Sequence, residues 1–165
     1  MIVSQGPSTD PRLTHVREDG TAQMVDVSAK PVTAREASAA GRVLLSAQAV
    51  AALRDHTVPK GDALAVARIA GIQAAKRTPD LIPLAHPVAV HAVTVELTVA
   101  DDGVDITATV RTADRTGIEM EALTSVSVAA LALVDMVKAV DKHARITDIR
   151  VTAKSGGRSG DWTEA

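Results

Sequence analysis

The sequence contains no cysteine, no phenylalanine and no tyrosine, and its one tryptophan is Trp162. Without cysteine there is no disulfide, no thiol nucleophile and no Cys-ligated metal site, although the compartment is not fixed by that alone. Without aromatics, the usual platform for stacking single-stranded bases is missing. The core must come from Val, Leu, Ile and much Ala, and each alanine buries little area. A domain so built gains from subunit contacts, so an oligomer is expected. Net charge is also scarce: 18 Lys and Arg stand against 20 Asp and Glu, for a formal −2. Bulk electrostatics therefore give no affinity for nucleic acid or an anionic membrane. The opening MIVSQGPSTDPR is polar and holds two prolines, so residues 1–12 read as a disordered lead-in rather than a targeting segment. No segment reads as apolar for long enough to span a bilayer. A cytoplasmic soluble protein is the default expectation.

What is present is one long apolar-periodic run, GIEMEALTSVSVAALALVDMVKAV, from Gly117 to Val140. It has neither Pro nor Gly after its first residue and reads as one amphipathic helix. Ile118, Ala122, Leu123, Val126, Ala129, Ala130, Leu133, Val137 and Val140 recur at three- and four-residue steps. Glu119 and Glu121 in its first turn suit the positive end of the helix dipole, which is sufficient reason for acids there. Glu121 and Asp135 lie about 40° apart around the axis and so share a face, but about 21 Å apart along it. Either the ligand is long, or each end serves a different site shared with a neighbouring subunit. Lys138, three residues after Asp135, can pair with it. Apolar neighbours at Val134, Met136, Val137 and Ala139 are expected to desolvate that pair partly, the setting in which Lys and Asp move protons.

The remaining chain of 165 residues fits one domain, expected over 13–162. Met24–Val27 alternates and is a strand or an ordered arm. A strand is favoured over 33–45, followed by a helix over 47–55 behind the cap Ser46 and a helix over 63–78 behind Asp62. Gly71 inside the second helix costs roughly 1 kcal/mol relative to Ala, so a close helix contact is expected there. Three prolines make 78–87 a rigid extended loop. Strands follow over 91–100 and 104–112, joined by Asp101-Asp102-Gly103, and a last strand covers 144–154. The order β-α-α-β-β-α-β points to an α+β fold of ferredoxin-like layout. That layout is an antiparallel four-stranded sheet with the helices packed on one face.

Polar candidates sit in unusual places. Lys60 lies at a helix start in PKGD, against the dipole. His86 stands between Ala85 and Pro87. KSGGRSG, beginning at Lys154, offers glycine-exposed N–H groups beside Lys154 and Arg158. It is either a phosphate cradle without the P-loop pattern or, the commoner case, a disordered polar tail. His86 alone is more often structural than catalytic. His86 and His91 are five apart with no H-E-x-x-H spacing, so a metal site is a minority reading. Arg68, Lys76 and Arg77 read as ordinary surface charges.

Three stretches together, AGIQAAKRTPDLIPLAHP, TGIEMEALTSVSVAALALVDMVKAVDK and AKSGGRSGDW, resemble the cyclic pyranopterin monophosphate synthase family, molybdenum cofactor biosynthesis protein C. The resemblance runs from about Leu13 to Trp162. It implies a lyase that converts 3′,8-cyclo-7,8-dihydroguanosine 5′-triphosphate to cyclic pyranopterin monophosphate and diphosphate. It also implies a homohexamer, a trimer of dimers, with the site at a subunit interface. No metal and no resident cofactor are implied beyond Mg²⁺ that can accompany the triphosphate. On this resemblance Asp135 is the catalytic acid and Lys60 and Lys138 are the essential lysines. Substrate contacts fall at Leu84, Ala85, His86, Met120 and Glu121, with Glu119, Arg35, Arg115 and Lys154 as further pocket residues. Where the family often reads Leu-Cys-His-Pro this chain has Ala85, which implies that the thiol is not needed.

Overall fold

The computed structural model describes residues 16–17, 19–158 and 160–165; the expected lead-in over 1–12 lies outside them. The elements in order are β1 (Thr33–Leu44), α1 (Ala47–Arg54), α2 (Ala63–Ala75), α3 (Thr78–Leu81), β2 (Val90–Val99), β3 (Gly103–Asp114), α4 (Glu119–Val137), β4 (Arg145–Ser155) and β5 (Trp162–Thr163). The strands form one sheet in the order β2-β3-β1-β4-β5, and each neighbouring pair is antiparallel. The α+β class and the antiparallel sheet are therefore as expected, with five strands rather than four.

Local chemistry accounts for most boundaries. The Ser46 side chain accepts from the Ala49 N–H, and the Asp62 side chain from the Ala65 N–H, so both expected caps start their helices. In β1 every second residue from Ala37 to Val43 is buried, the period of a strand with one face on a core. α4 lies across β1 and β3 and against α2. Its buried face runs through Ala122, Val126, Ala129, Ala130, Leu133 and Val137, in one cluster with Val43, Ile106 and Val110 of the sheet. Where α2 crosses α4, a Cβ on Gly71 would stand 3.0 Å from the Ser125 carbonyl oxygen and 3.1 Å from the Ala129 Cβ. This is the close contact that offsets the cost of a helical glycine.

Three expectations need correction. The 78–87 stretch is not wholly extended: Thr78–Leu81 forms a helical turn with Pro79 in its first turn, a position where the missing N–H costs no bond. The glycine-rich tail is not loose over its described residues. β5 pairs with β4 through Lys154 and Trp162, the Glu164 N–H donates to the Thr152 carbonyl at 2.7 Å, and Arg150 pairs with Glu164 at 2.7 Å. Finally, α4 is long and apolar enough to cross a bilayer by length and composition. More than half of it is buried inside the fold, which makes it the core helix. Met24–Val27 is an ordered arm rather than a strand.

Candidate active site

The start of β1, the end of β3 and the end of β4 meet at one end of the sheet. The register that does this pairs Arg35 with Thr112, Glu36 with both Arg111 and Ser155, and Ala37 with Lys154. The N-terminus of α4 arrives at the same place. Between them is a cavity of ≈ 630 Å³. All nine expected substrate residues line it: Leu84, Ala85 and His86 from the loop after α3, Glu119, Met120 and Glu121 from the first turn of α4, and Arg35, Arg115 and Lys154 from the strand ends.

The basic residues there are organised by backbone acceptors. Arg35 donates to the carbonyls of Asp114 at 3.1 Å and Arg115 at 3.2 Å. Its guanidinium lies against Gly157, whose φ is +81° and where any Cβ would collide with it. Asp114 in turn accepts from the Arg115 N–H at 2.7 Å. Arg115 Nε donates to the Lys30 carbonyl at 3.0 Å. His86 Nε2 is 2.6 Å from the Val25 carbonyl. A carbonyl only accepts, so Nε2 carries a proton, and in the neutral ring Nδ1 is the acceptor.

The two acids of α4 differ in environment. Glu119 pairs with Lys154 at 3.1 Å, both side chains being about a quarter exposed at 26%. Glu121 is 3% exposed. Burial pushes its carboxyl from 4.5 up to about 7, with a smaller contribution from the charge of Glu119, while a hydrogen bond from its own backbone opposes the rise. At a helix N-terminus the dipole favours the anion; here desolvation outweighs it. Glu121 can therefore hold or release a proton near neutral pH.

Lys60, Asp135 and Lys138 are gathered at the far end of α4. Asp135 is 2.8 Å from the Lys60 ammonium and 2.6 Å from that of Lys138. Hydrogen bonds from Lys138 and then Lys60 hold its carboxyl down at about 2. The expected desolvation of this pair is not present within one chain, where Asp135 and Lys138 are 54% and 59% exposed. The chain thus carries an acid-and-cation cavity at one end of α4 and a Lys–Asp–Lys cluster at the other, roughly 21 Å apart along the helix. Among the described residues, the lining of the cavity includes none of Lys60, Asp135 and Lys138.

Sequence reasoning did not single out Val25, Val27 and Lys30, which also line the cavity. The available signal was the alternation of Met24–Val27, which puts Val25 and Val27 on one side.

Comparison with known proteins places the chain in a family. The chain is 67% identical over 162 residues to a cyclic pyranopterin monophosphate synthase of Streptomyces coelicolor, covering 97% of this chain and 95% of the relative. It is 60% identical over 151 residues to cyclic pyranopterin monophosphate synthase 2 of Mycobacterium tuberculosis, covering 92% and 90%. It is 57% identical over 152 residues to the synthase of Corynebacterium glutamicum, covering 92% and 97%. The profile of the MoaC family matches residues 24–157, from the arm on the cavity wall to the glycines behind Arg35, and the chain belongs to that family.

Proposed function

We propose that this chain is a cyclic pyranopterin monophosphate synthase of molybdenum cofactor biosynthesis, a diphosphate-releasing lyase with residues 13–162 as its catalytic unit. Its substrate is the cyclised dihydro-GTP, 3′,8-cyclo-7,8-dihydroguanosine 5′-triphosphate. The observation that carries the reading is the cavity at the start of α4. It combines several cationic side chains with a carboxyl that titrates near 7, in a chain whose relatives bear that name.

The substrate must open its imidazole-type ring, close a pterin ring and form a cyclic phosphate. In the last step a substrate hydroxyl attacks the α-phosphorus. The new O–P bond forms as the bond to the diphosphate oxygen breaks, and the hydroxyl proton passes to a base. Arg35, Arg115 and Lys154 offset charge on the leaving diphosphate. Leu84, Ala85 and Met120 shape the wall around the base-derived ring. Glu121, in place of an aromatic stack, hydrogen-bonds the ring edge in whichever protonation state the ring requires. His86 offers Nδ1 as an acceptor.

Lys60 and Lys138 act as general acid and base, with Asp135 orienting both. Because α4 separates them from the cavity of their own chain, the reading needs a second chain whose Lys–Asp–Lys cluster closes the cavity, as in the homohexamer that the resemblance implies. Docking there removes water from the cluster, which restores the desolvation that a single chain lacks. No resident cofactor is assigned; any Mg²⁺ arrives with the triphosphate. The expected compartment is the cytoplasm.

The test is direct. Purified protein incubated with the cyclised dihydro-GTP should yield the pterin product and one diphosphate per turnover. Binding without diphosphate release would instead make the chain a nucleotide-binding module.

A further inference from the structure

Lys30 stands apart among the cations of the cavity. Five line it: Lys30, Arg35, Arg115, Lys154 and Arg158. Arg35 and Arg115 donate to backbone carbonyls, and Lys154 is paired with Glu119. Among the described residues, neither the Lys30 ammonium nor the Arg158 guanidinium has an acid partner. Arg158 is exposed, as an unpaired surface cation ordinarily is, whereas Lys30 is half-buried. A half-buried lysine that lines a cavity and has no counter-ion is a ready partner for an anion there.

Its placement is fixed as well. The arm from Val25 to Lys30 is fastened at both ends, by His86 Nε2 donating to the Val25 carbonyl at 2.6 Å and by Arg115 Nε donating to the Lys30 carbonyl at 3.0 Å. Between these points the Lys30 N–H donates to the Val27 carbonyl at 3.0 Å, and the Ser28 N–H to Asp26 Oδ1 at 2.8 Å, so the segment closes as a turn. Pro31 then restricts the backbone that follows. A lysine carried on a fastened turn loses less freedom on binding than one on a mobile loop.

We propose that Lys30 is a phosphate-binding residue of this cavity and that the fastened arm exists to present it. The ligand class is a polyphosphate; that it is the triphosphate of the cyclised nucleotide rests on the function proposed above. Tripolyphosphate is the probe, titrated calorimetrically into the full-length protein. Lys30→Gln should weaken its binding about 10- to 100-fold, the size of one charge-assisted contact. Lys30→Arg should keep most of the affinity, and Lys76→Gln, on a surface outside the cavity, should change nothing. Unfolding curves of all three variants should coincide with wild type. With the cyclised substrate, Lys30→Gln should raise KM by the same factor with kcat much less affected.

Equal tripolyphosphate binding by wild type and Lys30→Gln overturns the assignment, as does absence of binding by wild type. A wild type that binds tripolyphosphate through Lys30 but makes no pterin product leaves this site standing and removes the proposed reaction. A wild type that turns over with Lys30→Gln unchanged in KM does the reverse.

Discussion

Replacing Glu121 with glutamine, which has the same shape and no charge, tests the physical state of the cavity. The carboxyl is 3% exposed and is raised from 4.5 to about 7, chiefly by burial. Below 4.5 both folded and unfolded chains hold the proton and the group contributes nothing. Between 4.5 and about 7 the unfolded chain ionises while the folded chain does not, so stability falls as pH rises. Above that window the deficit is constant. At about 1.4 kcal/mol per tenfold, the full shift corresponds to at most about 3–4 kcal/mol. The cavity is open to solvent, and screening reduces this to on the order of 1–2 kcal/mol. Urea unfolding of wild type and Glu121→Gln at fixed protein concentration, at about pH 5 and about pH 8, isolates the effect, because every other carboxyl cancels in the difference. The variant should gain about 1–2 kcal/mol on wild type between the two conditions. Stabilities that keep the same spacing at both pH values would show that Glu121 is an ordinary ionised carboxylate, and its assignment as a neutral-pH proton carrier would fail.

The other predictions concern the two ends and the crossing of α4. Lys138→Ala should abolish pterin formation while sedimentation shows an assembly of unchanged size; near-normal turnover would remove its role. Gly71→Val should lower stability by about 1–3 kcal/mol through overpacking where α2 crosses α4, seen as a reduced thermal midpoint. Buried Asp141 accepts from the Ser46 N–H at 2.6 Å and the His143 N–H at 2.8 Å, tying the end of α4 to the start of α1. Asp141→Asn should cost about 1–3 kcal/mol at neutral pH. The hydrogen bond from Ser46 foremost holds the Asp141 carboxyl below 3.8. Its contribution is therefore complete above that value and lost as pH falls through the lower folded one, so denaturation curves of the pair should converge in acid.

The features legible in the sequence were those written in local chemistry. The 3.6-residue apolar period fixed α4 to within a turn, Ser46 and Asp62 announced their helices, and Gly71 announced a crossing it could not locate. α3 escaped because Pro79 suits a first helical turn as well as a loop. β5 escaped because two residues carry no period, and only pairing with Lys154 makes them a strand. The membrane-length character of α4 was underrated because its acids, at Glu119, Glu121 and Asp135, sit near its two ends. For the cavity, spacing alone offered scattered candidates. Residues 35, 115 and 154 are far apart in the chain and meet through strand register, so their grouping came from the family resemblance. The ordered arm was one of two readings of Met24–Val27, but its place on the cavity wall went unrecognised because its fastening bonds join residues 61 and 85 positions apart.

β5 has an optical consequence. The molecule's entire tryptophan fluorescence comes from one indole, half exposed at 46% and set opposite Lys154 across a single strand pairing. In most enzymes that signal is diluted by aromatics deep in the interior. Here nothing competes with it, so its emission reports on the tail beside the cavity and on little else.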